Sequence, residues 1–266
     1  MSSRLTVYID GIGLIAPGLN DWASGSQTLA GLAPYQSAKT VIPTPELLPA
    51  AERRRASDIV KVTLATSLEA ISQAGLRDNN LSSVFSFSNG DGVNCHSICE
   101  MLASEDREIS PTRFHNSVHN AAAGYWSIAT KTMATSSVLC AFDGSFGAGL
   151  LDALTQVVVQ DTPCILMTSD TPYPEPMFSK RPIPDNSGIA LLLTPEKSPV
   201  SIAKITVSVT DAPAYQFSDA ELETLRTAIP SMRGLPLLQW IARKESGHIV
   251  LDYLDDLRLA VEVHPC

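Results

Sequence analysis

Residues Ser136–Ala153, SSVLCAFDGSFGAGLLDA, read as a buried strand, a sharp turn of small residues and the start of a helix. Such an elbow suits nucleophilic chemistry, because helix N-terminal N–H groups beside it can stabilise an oxyanion. This elbow centres on Asp143 and carries no cysteine at its tip. Cys140 lies three residues upstream, in an apolar strand. It reads as a structural thiol, since a reactive one needs exposure and a lowered pKa. Asp143 has two readings, a general base or an N-cap for the following helix, and capping is favoured because aspartate is a preferred cap. The stretch around Ser145 is no hydrolase elbow, since Asp143 stands where Gly-x-Ser-x-Gly needs glycine.

A second cluster follows the same logic. Phe114, His115, His119, Tyr125 and Trp126 place three aromatics and two histidines within thirteen residues of a chain that is 6% aromatic. That exceeds what a plain core helix needs. Together with Asn116, Asn120 and Phe142 they are candidates for the wall of a channel or a partner interface. Ala121–Gly124 are small enough to let a helix approach its neighbour closely. Cys95, His96 and Cys99 lack a second ligand pair and fall short of a zinc pattern. No metal and no cofactor are expected. The Arg53–Arg55 run reads as a solvated helix start, and Gly90–Gly92 as a lone glycine turn rather than a phosphate loop.

The elements that must position these residues follow from patterning. LTVYIDGIGLIAPG is a strand and turn, and DWASGSQTLAGL a helix capped by Asn20 or Asp21. Residues 33–51 are proline-containing loop, with 39–42 a short strand. RRRASDIVKVTLATSLEAISQAGL is the clearest helix, ended by Gly75. A strand (SSVFSFSNG), a helix (CHSICEMLAS), and a loop leading into a buried helix (SPTRFHNSVHNAAAGYWSIATKT) precede the elbow. After it come a helix, the strand PCILMTSD, a proline-rich loop over 170–187 and two closing strands. The tail adds a helix with Ser218 and Glu221 in capping-box spacing, a short helix LPLLQWIARK, and a hairpin turning at Asp255 and Asp256. Repeated βα units followed by paired strands predict an α/β fold with a mixed sheet.

The chain has 266 residues, enough for one large α/β domain or one with a small extension. Its net charge of −9, from 28 acidic and 19 basic residues, argues against binding nucleic acid or an anionic membrane. No apolar run suits a signal peptide or a bilayer span, so no membrane insertion is expected. Five scattered cysteines fit a reducing cytoplasm.

Several of these segments together resemble the β-ketoacyl synthases. VYIDGIGLIAPG is similar to their first strand and turn, and RRRASDIVKVTLATSLEAISQAGL to their arginine-led helix. NSVHNAAAGYWSI resembles the segment beside their active site at the dimer interface, and GIALLLTP a strand near the middle of the fold. The likeness spans roughly residues 4–205. It implies the N-terminal half of a thiolase-like fold with a mixed five-stranded sheet over 1–205, and a short C-terminal extension over 206–266. It also places the family's nucleophilic cysteine at Asp143, within one residue. The family's two catalytic histidines belong to a second half for which this sequence shows no motif; His248 and His264 are isolated. The resemblance therefore implies a noncatalytic chain-length factor of the aryl polyene type. It would pair with an active ketosynthase, as a heterodimer or a pair of heterodimers, meet acyl carrier protein through that complex, and shape the channel for a growing polyketide chain. A stand-alone decarboxylase or thioesterase acting on acyl-carrier-protein thioesters through Asp143, His115 or His119 is the alternative.

Overall fold

The computed structural model describes residues 4–76 and 81–266. Its strands are β1 (Leu5–Ile15), β2 (Ser82–Ser86), β3 (Ser136–Leu139), β4 (Cys164–Asp170), β5 (Ser187–Thr194), β6 (Ala203–Thr210), β7 (Gly247–Leu251) and β8 (Arg258–Pro265). They form one mixed sheet in the order β3-β2-β4-β5-β1-β6-β8-β7. β2 runs parallel to both β3 and β4, and the other pairings are antiparallel. The expected α/β fold with a mixed sheet is thus present.

Residues 1–205 supply five whole strands, β1–β5, as expected, but the sheet does not stop there. β8 pairs with the open edge of β6 from Ala203↔Pro265 to Thr210↔Arg258, and β7 pairs with β8. The tail hairpin therefore extends the sheet itself. The reason is burial: Ile205 and Val207 share one core cluster with Ile249, Leu251, Val261 and Val263. Along the inner strands both faces are covered. In β4, Leu166 belongs to that cluster, while Ile165 and Met167 belong to a second one on the opposite face. Near-continuous apolar sequence in β4 and β5 is what two-sided burial demands.

Nine helices cover the faces: α1 (Trp22–Leu29), α2 (Ala50–Arg55), α3 (Asp58–Ala74), α4 (Gly92–Ala103), α5 (Pro111–Ser117), α6 (Ala121–Thr130), α7 (Ser145–Gln160), α8 (Ala220–Ala228) and α9 (Leu235–Arg243), counted among the described residues. α3 lies directly on β1. A Cβ on Gly13 would stand 1.8 Å from the Thr66 carbonyl oxygen, so only glycine admits that approach. Gln73 and Glu69 of α3 then serve the β1 backbone, at Ile12 and Leu14.

Several local expectations are corrected. The arginine-led helix breaks at Ala56, which is extended at φ −62°, ψ 123°. The Asn116 amide instead donates to the carbonyl of Arg55, at 2.8 Å. Thr40 forms no strand; it bonds to Asp185 and to the Asn186 carbonyl. The loop before α6 contains α5, capped by Ser110 and started by Pro111. Asp219, not Ser218, caps α8, and Glu223 rather than Glu221 reaches back, to Phe217 N. Asp21 caps α1 and Gly75 closes α3 at φ 63°, both as expected.

Candidate functional site at the elbow

The carboxyl ends of the three parallel strands converge on one region. In open α/β sheets this is where ligand sites form. β2 leads into Ser88–Asp91, β3 into Cys140–Asp143, and β4 into Asp170–Tyr173. Asp170 ties them together. It is 1% exposed and accepts hydrogen bonds from the Ser88 hydroxyl, from Ser88 N at 3.2 Å and from Ser231 N at 2.6 Å. Burial pushes its carboxyl up, opposed by the bonds from Ser88 and Ser231.

The elbow itself is a single 3-10 turn, Phe142–Gly144, leading into α7. Phe142 stands at its tip with φ 52°, a left-handed conformation that costs a non-glycine residue ~1–2 kcal/mol. Arg107 shares such a φ in the loop before α5, and Lys131, Asp161 and Lys244 share it where each closes a helix. The turn is held by Ser145, whose hydroxyl accepts from Ala141 N at 3.1 Å and donates to the Phe142 carbonyl at 2.7 Å. The Ser86 hydroxyl donates to the Ser145 carbonyl at 2.6 Å and fixes the helix start to β2.

Asp143 does not cap α7, whose N-cap is Gly144 without a side-chain bond. Its carboxylate is instead divided between two arginines, Arg181 at 2.7 Å and Arg233 at 3.5 Å. Arg233 also reaches Asp252, which pairs with Arg226, itself bonded to Glu223. A ladder of alternating charge thus runs from the elbow to α8. Neither arginine was singled out in the sequence. They lie 38 and 90 residues beyond Asp143, so no local spacing marks them.

Cys140 departs from its expected place. It is exposed and lies past the end of β3, with its thiol donating to the Ser88 carbonyl at 3.3 Å. The short edge strand β3 ends at Leu139, so it cannot bury the next residue. Cys164 is buried, and burial pushes its thiol up to about 12.

The expected wall segment divides. Phe114 is 61% exposed and Phe142 60%, and His115 and Asn120 also face outward. Tyr125 and Trp126 do not: each is 1% exposed and packed among Phe85, Phe87 and Met167. Their spacing on α6 turns them inward, so they are core rather than wall. Asn116 is buried too, accepting from the Tyr125 hydroxyl at 3.0 Å. His119 is partly buried against the Phe87 ring, 5.9 Å between centroids, and burial pushes its imidazole down.

A cleft of about 770 Å³ opens between the elbow and the β7–β8 loop, lined by Phe142, Asp143, Arg233, Asp252, Tyr253 and Leu257 among others. It holds no histidine and no cysteine. His248 and His264 stand at the far end of the hairpin, near residues 247 and 263, away from the loop that meets the elbow. Among the described residues no group of three or more His, Cys, Asp or Glu is placed to hold a metal ion, and no helix is long and apolar enough to cross a membrane.

Residues 22–252 match the model of the β-ketoacyl synthase N-terminal domain. The chain belongs to that family. Solved structures agree in fold. One is a ketosynthase (ApeO) in complex with its chain length factor (ApeC) from Xenorhabdus doucetiae, at 23% identity and TM-score 0.73, with 97% of this chain and 99% of that chain covered. Another is the ishigamide ketosynthase/chain length factor, at 11% identity and TM-score 0.71, covering 98% and 99%. A β-ketoacyl synthase from Burkholderia phymatum matches at 12% identity and TM-score 0.60, covering 91% of this chain and 71% of that one. No curated protein sequence matches.

Proposed function

We propose that this ketosynthase-like chain is a noncatalytic, chain-length-factor-like subunit. It pairs with an active β-ketoacyl synthase and walls the channel for a growing polyketide or polyene chain. The observation that carries the reading is the elbow tip. Phe142 stands there, Asp143 is held by two arginines, and the nearest thiol bonds a backbone carbonyl upstream. A phenyl ring offers no nucleophile. A carboxylate committed to two guanidiniums is a poor base.

Pairing is supported by unpartnered surface on one side of the molecule. β3 is an edge strand whose outer main-chain groups have no ladder partner among the described residues. Phe114, Val118, Ile128 and Met133 are exposed around α5 and α6, Met133 at 95%. A ketosynthase covering this side would supply thiol and histidines to the shared channel. Phe114, His115, Asn120 and Phe142 would then face the chain being built, and acyl carrier protein would meet the pair. Near-complete coverage of this chain and of the one chain it matches in each ketosynthase/chain length factor structure favours the same reading.

The alternative of a stand-alone decarboxylase or thioesterase is not favoured, because no hydrogen bond joins Asp143 to His115 or His119. The test is co-expression with an active β-ketoacyl synthase from the same source. Native mass spectrometry should find a complex, and only the complex should elongate malonyl units on carrier protein. A folded chain that ignores the ketosynthase, or that decarboxylates malonyl-carrier protein alone, would sink the reading.

A further inference from the structure

The elbow tip carries more order than a vacated nucleophile position requires. The Arg181 guanidinium carbon lies 3.8 Å from the centroid of the Phe142 ring. The same guanidinium donates to Asp143 Oδ1 at 2.7 Å. Stacking and ion pair are therefore made at once by one planar group, from the proline-rich loop between β4 and β5. A cation over an aromatic face within about 6 Å is attracted by the ring quadrupole. A planar guanidinium can stack and donate together, which an ammonium cannot. Arg233 engages the other oxygen of Asp143, so the anchor is itself fixed. The side chain of Arg181 is 16% exposed, whereas Phe142 remains 60% exposed. The arginine thus buttresses the ring from within and leaves the rest of it presented outward.

We propose that Arg181 is a positioning residue. It fixes the Phe142 ring at the elbow tip, with Asp143 as its anchor. Through that ring it sets how far a growing acyl chain extends along the channel. This rests on the function proposed above for its second half only. A ring free to swing about χ1 would leave a variable end wall. A ring clamped on one face gives a single stop. Phe142 already sits on a strained backbone that Ser145 holds, so the side chain is the remaining freedom, and Arg181 removes it.

Two measurements test this. On the chain alone, the Arg181 Nε–Hε resonance should be shifted upfield by the ring current. That shift should vanish in Phe142→Leu and shrink in Asp143→Asn. An unshifted resonance, or one indifferent to Phe142→Leu, overturns the contact. In the reconstituted pair, product lengths are read by mass spectrometry. Phe142→Ala and Arg181→Met should both move the distribution to longer chains, and the double variant should move it no further. Arg181→Lys keeps the charge but loses the planar face, and it should behave like Arg181→Met. Rescue by lysine would mean that the charge alone matters and would overturn the positioning role. A shift in Phe142→Ala without one in the Arg181 variants overturns this inference and spares the function. Failure of the chain to pair at all sinks the function, and the spectra then still decide whether Arg181 holds the ring.

Discussion

The carbonyl oxygen of Tyr253 lies 1.9 Å from where a Cβ on Gly144 would stand. The β7–β8 loop therefore rests its backbone on the elbow, and only a residue without a side chain permits it. Gly147 makes a similar contact with the Asp252 carbonyl, at 2.5 Å from its missing Cβ. The charge ladder from Asp143 through Arg233 to Asp252 closes the same seam. The elbow and the tail hairpin are one structural unit.

Gly144→Ala should separate them. The clash is with backbone, which cannot rotate away, so the cost is that of overpacking, ~1–3 kcal/mol. Denaturant titration should show that loss. Hydrogen exchange should rise in residues 252–257 and at the start of α7. A variant as stable as the parent, with the loop still protected, would mean the contact is not as close as described.

Trp126 and Phe114 should separate packing from wall. Trp126 is buried among Phe85, Phe87 and Tyr125, so Trp126→Ala should cost ~3–5 kcal/mol of stability. Phe114 is exposed, so Phe114→Ala should leave the denaturation midpoint nearly unchanged and alter product lengths in the reconstituted pair. The opposite pattern would exchange their roles.

That division shows what the sequence could and could not tell. The order of strands and helices was legible because each element carries its own period and its own caps, as Asp21 and Gly75 do. The elbow was legible for the same local reason. Which side of α6 faces inward was not, because Tyr125 and Trp126 adjoin the outward Gly124 in sequence, and aromatic content alone does not choose a face. The role of Asp143 was hidden for a different reason. Aspartate before a helix is a cap by default, and its true partners, Arg181 and Arg233, arrive from distant loops that only the tertiary fold brings near. The full width of the sheet was hidden likewise, since β8 is paired to β6 across 48 residues.

Glu223 should confer acid sensitivity. Its hydrogen bonds from Arg226 hold its carboxyl below the ordinary range. A carboxyl lowered in the folded state adds stability above its unfolded value, about 4.3. That stability is lost as pH falls through the folded value. Unfolding curves between pH 3 and 7 should show the parent's advantage over Glu223→Gln shrinking below about pH 4.3. A constant difference across that window would mean the pair does not titrate with folding.

His119 should act at higher pH. Burial against Phe87 lowers its pKa, so the folded state favours neutral imidazole. The unfolded chain takes up the proton near pH 6.5. Stability should therefore fall as pH drops from about 6.5 toward the lower folded value, and be flat above it. His119→Gln removes the titration and should flatten that slope. Melting temperatures across pH 5–8 check it, and an unchanged slope in the variant would place the responsible group elsewhere.

Restoring a thiol should not restore a synthase. Phe142→Cys would put sulfur at the tip of the elbow, 60% exposed in the parent, so iodoacetamide should label it readily. The same holds in kind for Asp143→Cys, although that change also frees Arg181 and Arg233. Condensation needs more than a nucleophile; it needs groups that take and give protons at the reacting carbonyl. The cleft beside the elbow contains no histidine. His248 bonds Glu262 at 3.2 Å on the outer hairpin, and His115 packs edge-on to Tyr125 at 6.2 Å. Neither His248 nor His115 lines that cleft. The isolated variants should therefore be alkylated or acylated without releasing any elongated product from acyl- and malonyl-carrier protein. Elongation by either variant alone, absent a ketosynthase, would show that the chain keeps acid–base groups of its own and would overturn the noncatalytic reading.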